Sequence, residues 1–250
     1  MKQDSNFVTN NKRTRYLPKI ILGQTVFSLI VILLAFGLAF YAQGYRFDFR
    51  HFSVVKTGVL VLTYQPNNAI VSLNNASVPA SDGNLAINLQ PGNYNISISD
   101  SNYASWNYFL KVNSESVNLF DKIVLFFANP KVSSLTDQGK ISLLNNPTDA
   151  LALKNSTSSS SLYFNNYEIW AGGKLVTRLS TPIQDAIWYP DFQHVIYQQG
   201  KEIRVIETSG RYDTLLATMS SDKQTELAVN SHGDELYFQD SSNYEMAKIR

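Results

Sequence analysis

A single uninterrupted apolar stretch dominates the pattern of hydrophobic and polar positions along the chain. Residues 20–42 contain no Asp, Glu, Lys, Arg or His. As an α-helix, this stretch would be about 35 Å long, which is enough to cross a hydrocarbon core of about 30 Å with some tilt. The pattern therefore predicts a transmembrane helix over residues 20–42.

The charges on either side of this stretch predict its orientation. Residues 1–19 carry five basic side chains and one acidic side chain, whereas the bases that follow the stretch are sparser. Because the more basic flank stays in the cytoplasm, we expect residues 1–19 to form a cytoplasmic tail and the rest to be exported. A cleaved signal peptide is the alternative, but its apolar region would be only about 7–15 residues long. We favour an uncleaved signal-anchor.

Aromatic residues crowd the outer end of the predicted helix. They are Tyr41, Tyr45, Phe47, Phe49 and Phe52. Aromatic rings favour the headgroup level of a bilayer, and a glycine at position 44 would let the helix end there. We interpret residues 43–56 as a linker at the membrane surface.

From residue 57 onward, the pattern changes to the alternation that is typical of β-strands. Short runs of alternating apolar and polar residues are separated by turn residues such as Asn74-Asn75 and Pro91-Gly92. Asparagine tolerates a positive φ, so Asn74-Asn75 predicts a tight hairpin. About six or seven strands fit into this region, which predicts a small antiparallel β-sandwich over residues 57–127.

Several residues of this region resemble a known family, the PEGA domain, a β-sandwich repeat of bacterial and archaeal surface proteins. The matching positions are Thr57-Gly58, Pro66, residues 69–73, residues 89–94 and Tyr103. Asn74-Asn75 and Val78-Pro79 depart from the family, which usually has a glycine and a Thr-Pro pair there. The resemblance implies a spacer or binding module without a common active site.

The final part of the chain contains an internal repeat built from short strands. Three apolar triplets recur at residues 162–164, 195–197 and 236–238, each after a turn cluster and before a second strand. A period of about 40 residues is typical of a propeller blade, and the unit at residues 186–207 resembles TolB-type propeller repeats. Propellers close with roughly 4–8 blades, and the chain has room for about three. We therefore predict a partial propeller-like array over residues 128–250.

An incomplete array leaves apolar residues at its open ends. We expect the sandwich, a second copy of the chain or further blades to cover them. The residues in question are Leu151, Leu153, Trp188, Leu236 and Phe238. We also predict that residues 155–161 and the segment after Asp240 are the least ordered parts of the array.

Composition excludes several functions. The chain has no cysteine and three histidines, and residues 20–250 carry 16 basic and 19 acidic side chains. Disulfides and thiolate metal sites are therefore excluded, and the exported part is not a nucleic-acid binder by charge. The sequence motifs of a nucleophile elbow, a zinc site and a phosphate-binding loop are absent. We predict no catalytic, cofactor-binding or metal-binding residues and no cofactor.

One group of side chains allows two interpretations. Trp188, Tyr189, Asp191 and His194 lie close together in the sequence and could form a binding site. The alternative, which we favour, makes Trp188 a core residue and Asp191 a turn former that caps backbone amides. The ligand-binding residues therefore stay unassigned.

These patterns predict a mainly β protein with an N-terminal transmembrane helix, a small PEGA-like antiparallel β-sandwich and partial β-propeller-like repeats. We expect a non-enzymatic protein of the cell envelope, held in the membrane by one helix and able to form oligomers. Its expected partner is a cell-wall polymer or another envelope protein. Two alternatives stay open: an envelope hydrolase that acts on glycans through paired carboxylates, and an accessory subunit of an export complex.

Overall fold

The computed structural model describes residues 17–48, 52–145 and 161–250, and its architecture is mainly β with one long N-terminal helix. Helix α1 comprises Leu17–Ala42. The segment Leu22–Ala42 has a mean hydropathy of 2.4, and none of its apolar window is buried inside the protein. The helix is therefore long and apolar enough to cross a membrane or to act as a signal anchor.

The ends of α1 differ slightly from the prediction. The helix begins at Leu17 rather than at residue 20, so residues 17–19 of the predicted tail are helical. Residues 1–16 of that tail lie outside the described residues. At the other end, Gly44 adopts a φ of +82° directly after the helix, which is the role predicted for this glycine.

The segment predicted as a linker folds instead as a β-hairpin. Strand β1 (Tyr45–Asp48) pairs with strand β2 (Ser53–Lys56) in antiparallel register. Aromatic and β-branched residues favour strands, so the aromatic residues of this segment suit a hairpin as well as a membrane surface. Phe49, which was predicted at the headgroup level, lies outside the described residues.

Seven strands then form two sheets, as expected for a sandwich. They are β3 (Gly58–Gln65), β4 (Ile70–Leu73), β5 (Ala76–Val78), β6 (Asn84–Leu89), β7 (Gly92–Ser99), β8 (Trp106–Val112) and β9 (Val117–Val124). The strand orders are β6-β3-β9 and β5-β4-β7-β8. The predicted hairpin at Asn74-Asn75 joins β4 to β5, and both residues have positive φ, +51° and +67°. Pro91-Gly92 instead connects strands of different sheets.

The remaining strands form three further sheets, the number of units predicted from the repeat. The first sheet contains β11 (Leu162–Phe164), β12 (Glu168–Ala171) and β13 (Lys174–Arg178). The middle sheet contains β14 (Ile183–Trp188), β15 (His194–Gln199), β16 (Glu202–Glu207) and β17 (Thr214–Thr218). The last sheet contains β18 (Leu227–Val229), β19 (Glu235–Asp240), β20 (Asn243–Lys248) and an earlier strand, β10 (Lys131–Ser134).

The turns that open β15 and β19 repeat at the level of the backbone. The amide of Tyr189 donates to the carbonyl of His194 at 3.0 Å, and the amide of Asn230 donates to the carbonyl of Glu235 at 3.1 Å. Position 189 precedes the triplet at 195–197 by the same interval as position 230 precedes the triplet at 236–238. The two turns therefore share one backbone hydrogen bond at corresponding positions.

Apolar clusters lie on both sides of the middle sheet. One cluster joins it to the first sheet and includes Ile169 and Trp188. The other joins it to the last sheet and includes Leu236 and Phe238, together with Phe126 from the segment after β9. All five residues are buried. Phe126, from the region predicted as the sandwich, thus helps to cover apolar residues of the array. This is one of the three ways of covering them that the sequence predicted.

A short helix, α2 (Gln138–Asn145), covers the other face of the last sheet, and the sequence analysis did not predict it. Ile141 and Leu144 of α2 pack with Ala228 and Tyr237 of that sheet. The prediction of poor order after Asp240 is wrong, because β20 pairs with β19 on one side and with β10 on the other. Leu151, Leu153 and residues 155–160 lie outside the described residues.

The chain divides into two compact units. Of the described residues, the anchor unit combines 17–48 and 52–59 with 88–92 and 112–117. The second unit comprises the described residues of 60–87, 93–111, 118–145 and 161–250, so it contains all three sheets of the array.

Candidate functional site

The turn between β14 and β15 holds two of the residues that the sequence singled out. Oδ1 of Asp191 accepts hydrogen bonds from the amides of Gln193, at 2.7 Å, and His194, at 3.1 Å. Its other oxygen, Oδ2, lies 2.6 Å from Nδ1 of His194. Because a carboxylate oxygen accepts, this contact places the imidazole proton on Nδ1. Asp191 therefore caps the turn and orients the imidazole.

His194 is buried and stands between two acidic residues. Its Nε2 lies 4.0 Å from Oε1 of Glu207. Glu207 has closer partners, because its Oε1 accepts from Nε1 of Trp106 at 2.9 Å and its Oε2 accepts from the hydroxyl of Ser209 at 2.9 Å. The acidic groups around His194 are thus occupied by hydrogen bonds within the protein.

Trp106, which donates its hydrogen bond to Glu207, is surrounded by aromatic side chains. Trp106 stacks on Tyr212, with 5.1 Å between ring centroids, and meets the edge of Phe120 at 5.7 Å. Burial, with a smaller contribution from the nearby Glu207 carboxylate, raises the pKa of Tyr212 to about 12. Trp106 itself is only 3% exposed. These rings form a packed junction and leave little surface on which a ligand could stack.

Two cavities lie beside the turn, and the two acidic residues line different ones. The smaller cavity, about 160 Å³, contains Glu207 and His194 in its wall. The larger, about 350 Å³, contains Asp191, Lys122 and Arg250. Small-molecule sites usually measure about 300–1,000 Å³, so the smaller cavity falls below that range. Among residues 17–48, 52–145 and 161–250, no three His, Asp or Glu side chains are grouped as a metal site would require.

Of the four residues that the sequence grouped together, Tyr189, Asp191 and His194 stay together in the fold and Trp188 does not. Tyr189 packs against His194, with ring centroids 5.9 Å apart. Trp188 belongs instead to the cluster between the first and middle sheets, because neighbouring residues of a strand point to opposite faces. The contacts of Glu207 and Trp106 were missed, and no local signal could reveal them, since the two residues are 101 positions apart.

A different surface, the outer face of the first sheet, exposes aromatic residues. In the strand register, Tyr163 lies opposite Trp170, and Trp170 lies opposite Leu175. Tyr163 is 60% exposed and Leu175 is 42% exposed, whereas Ile169 on the inner face is fully buried. We call these three residues, Tyr163, Trp170 and Leu175, the aromatic row.

Hydrogen-bonding groups border the aromatic row. Glu168 accepts from Nε1 of Trp170 at 3.0 Å and from Nε of Arg178 at 2.7 Å. These two hydrogen bonds lower the pKa of the Glu168 carboxyl, so the group carries a negative charge at neutral pH. An open depression of about 680 Å³ adjoins them, and its wall includes Asn166 and Tyr167. The outer face therefore combines aromatic rings with fixed polar groups.

Comparison with known proteins adds little. The chain matches no family model. It also matches none of the curated proteins. Among solved structures, it superposes on a DUF3823 family protein from Bacteroides ovatus over 78% of this chain and 97% of that one, with 11% sequence identity and a TM-score of 0.21. So loose a superposition carries no argument about function, and the PEGA and TolB-type resemblances are not confirmed.

Proposed function

We propose that this chain is a non-enzymatic protein of the cell envelope, anchored by α1 with its N-terminus in the cytoplasm. Its β modules, a PEGA-like sandwich and a TolB-type partial propeller, are displayed outside the membrane. There the aromatic row binds a glycan polymer of the cell wall. The PEGA-like part of this proposal is supported by the seven strands β3–β9, which form two antiparallel sheets, and the propeller-like part by the turn that recurs at positions 189 and 230.

The observation that carries the anchoring is the exposure of α1. An apolar helix in a water-soluble protein buries at least one face, whereas the apolar window of Leu22–Ala42 has none of its surface buried. The five bases of residues 1–19 support a cytoplasmic N-terminus.

The aromatic row has the chemistry that a sugar chain requires. A pyranose ring has apolar C–H faces, which pack on aromatic rings, and hydroxyl groups, which hydrogen-bond at its edges. Tyr163 and Trp170 offer the rings, while Glu168 and Arg178 offer an acceptor and donors. Aromatic side chains also provide much contact area at a low cost in conformational entropy.

A non-enzymatic role is supported by the state of the acidic residues around His194. A glycoside hydrolase needs two carboxyl groups that face one scissile bond. Asp191 and Glu207 line different cavities, and both are held by hydrogen bonds within the protein.

Topology can be tested directly because the chain has no cysteine. Two single-cysteine variants, Asn10→Cys and Lys201→Cys, are expressed in whole cells and treated with a membrane-impermeant maleimide. We expect labelling of Lys201→Cys in intact cells and labelling of Asn10→Cys only after permeabilisation. The reverse pattern would refute the proposed orientation.

Binding is tested by co-sedimentation of the detergent-solubilised full chain with purified cell-wall sacculi. Replacing both rings, in Tyr163→Ser/Trp170→Ser, should weaken binding roughly 5- to 30-fold, because two aromatic contacts are worth about 1–2 kcal/mol together. The matched control is Phe109→Ser, which removes an aromatic ring that is 68% exposed on β8. Equal binding by both variants, or release of soluble sugar by the intact protein, would overturn the proposal.

A further inference from the structure

The hairpin β1–β2 exposes apolar side chains directly after the apolar helix. Phe52 is 82% exposed, Val54 is 59% exposed and Phe47 is 43% exposed. Phe47 lies opposite Val54 in the register and meets the edge of Phe52, with ring centroids 6.3 Å apart. The three side chains therefore form one apolar patch, which is unusual for a surface hairpin in water.

The connection to α1 is too short for this patch to leave the membrane surface. Residues 43 and 44 alone separate α1 from β1, and two extended residues span about 7 Å at most. Side-chain contacts also hold β1 against the end of α1. The guanidinium of Arg46 lies 3.6 Å from the ring centroid of Tyr41 and donates to the carbonyls of Tyr41 and Tyr45, each at 3.0 Å.

The residue that follows β2 is also held at the end of α1. Both the amide and the hydroxyl of Thr57 donate to the carbonyl of Gly44 at 3.0 Å. Lys56 forms an ion pair with Glu115, and its carbonyl accepts from the hydroxyl of Ser114 at 3.1 Å. Contacts within the anchor unit thus fix the base of the hairpin at the end of α1.

We propose that the hairpin β1–β2 lies in the headgroup region of the bilayer, with Phe47, Phe52 and Val54 turned toward the acyl chains. This inference rests on the proposed anchoring of α1. Lipid is the occupant that the geometry favours, because the patch continues the apolar surface of the helix and cannot move away from it. Arg46 and Tyr45 at its base suit the headgroup level, where cations and amphipathic rings gather.

The experiment uses the full chain in vesicles of phosphatidylcholine and phosphatidylglycerol. Single cysteines in Phe52→Cys and Val54→Cys carry a small fluorophore, which is quenched either by lipids brominated near the headgroup or by aqueous iodide. Leu33→Cys, in the middle of α1, reports whether the helix is inserted. Val132→Cys, at an exposed apolar position of β10, represents a site in water.

We expect lipid quenching at positions 52 and 54 to be at least about threefold stronger than at position 132, with weak iodide quenching, because interfacial apolar groups lie about 5–10 Å deep. Adding Phe47→Asp to the position-54 variant should return that label to the behaviour of position 132. Because Phe47 lies outside α1, position 33 should stay protected from iodide in this second variant.

Two results would overturn the inference, and a third would show that the anchoring itself has failed. Iodide quenching at positions 52 and 54, with position 33 protected from iodide, would refute the interfacial position of the hairpin alone. Protection from both quenchers would mean that protein, such as a second copy, covers the patch. Iodide quenching of the label at position 33 would refute the anchoring itself.

Discussion

The first and last sheets of the array both pack against the middle sheet, and they differ in what covers their outer faces. In the last sheet, Leu236 and Phe238 pack against the middle sheet, while α2 covers Tyr237 on the other side. In the first sheet, Ile169 packs against the middle sheet, but Tyr163 on the other side is exposed.

This difference shows that a repeat determines only half of a sheet's environment. The inner face of a sheet is buried because it packs against the neighbouring sheet. An outer face is buried only where a segment that does not belong to the repeat covers it. At the last sheet, α2 supplies that segment. The first sheet keeps an aromatic outer face, which we propose as the binding surface.

The largest difference in the free energy of unfolding should be between two leucine-to-alanine variants. Leu236→Ala removes a side chain with no exposed surface between the middle and last sheets, and it should lower the free energy of unfolding by about 3–5 kcal/mol. Leu175→Ala, on the bare face, should change it by less than about 0.5 kcal/mol. Urea unfolding of the full chain in detergent measures both. Similar losses would mean that the outer face of the first sheet is covered as well.

The next largest difference in stability should be between alanine variants of two turn glycines. Gly233, before β19, has a φ of +73°, and an added Cβ would lie 2.3 Å from the hydroxyl of Tyr189. Gly173, in the first sheet, has a φ of +76° with open space around it. Gly173→Ala should cost about 1 kcal/mol for the backbone conformation, and Gly233→Ala about 2–4 kcal/mol because overpacking adds to it. Equal thermal midpoints would contradict this expectation.

The cap on the last sheet should matter less than its core. Leu144 of α2 is buried against that sheet, so Leu144→Ala should destabilise the protein by about 2 kcal/mol, near the lower limit for a core leucine, because a short helix can shift to fill the space. Tyr163→Ala, on the uncapped sheet, should have almost no effect on stability. Hydrogen exchange would also be expected to speed up in β19 in the first variant only.

The smallest effect should be on the acid dependence of stability. Nζ of Lys140 in α2 lies 2.7 Å from Oε2 of Glu235, and the hydrogen bonds from Lys140 and Tyr237 lower the pKa of that carboxyl. A lowered pKa stabilises the fold above the ordinary pKa of a glutamate and loses that contribution as the pH falls. Lys140→Ala should therefore be less stable than the unchanged protein at pH 7, and the difference should shrink between about pH 5 and pH 3. A difference that stays constant with pH would exclude this ion pair as its cause.

The parts of the fold that the sequence predicted depend on local patterns. Residues 20–42 are apolar without interruption, and Asn74-Asn75 can adopt positive φ, so both could be interpreted from their neighbours alone. The similar apolar triplets at 195–197 and 236–238, each behind a turn cluster, likewise indicated a repeated unit.

The parts that were missed depend on distant partners. Helix α2 has eight residues with a weak apolar pattern, and helices of this length are held by packing rather than by propensity. Trp106 and Glu207 meet across 101 positions, and the aromatic row became visible only when the register of β11, β12 and β13 was known. Sequence reasoning had grouped Trp188 with Asp191 because they are neighbours in the chain.

Strand β10 sets the order in which the array can be completed. Lys131 pairs with Lys248 and Ser134 with Glu245, so the strand is synthesised more than a hundred residues before its partner. At about 5–20 residues per second, β10 waits roughly 5–20 s on the emerging chain with its edge unpaired. The last sheet therefore cannot form progressively behind the ribosome, and contacts of such long range make folding slow. A nascent chain that stalls before residue 243 would leave β10 free to pair with a strand of another molecule.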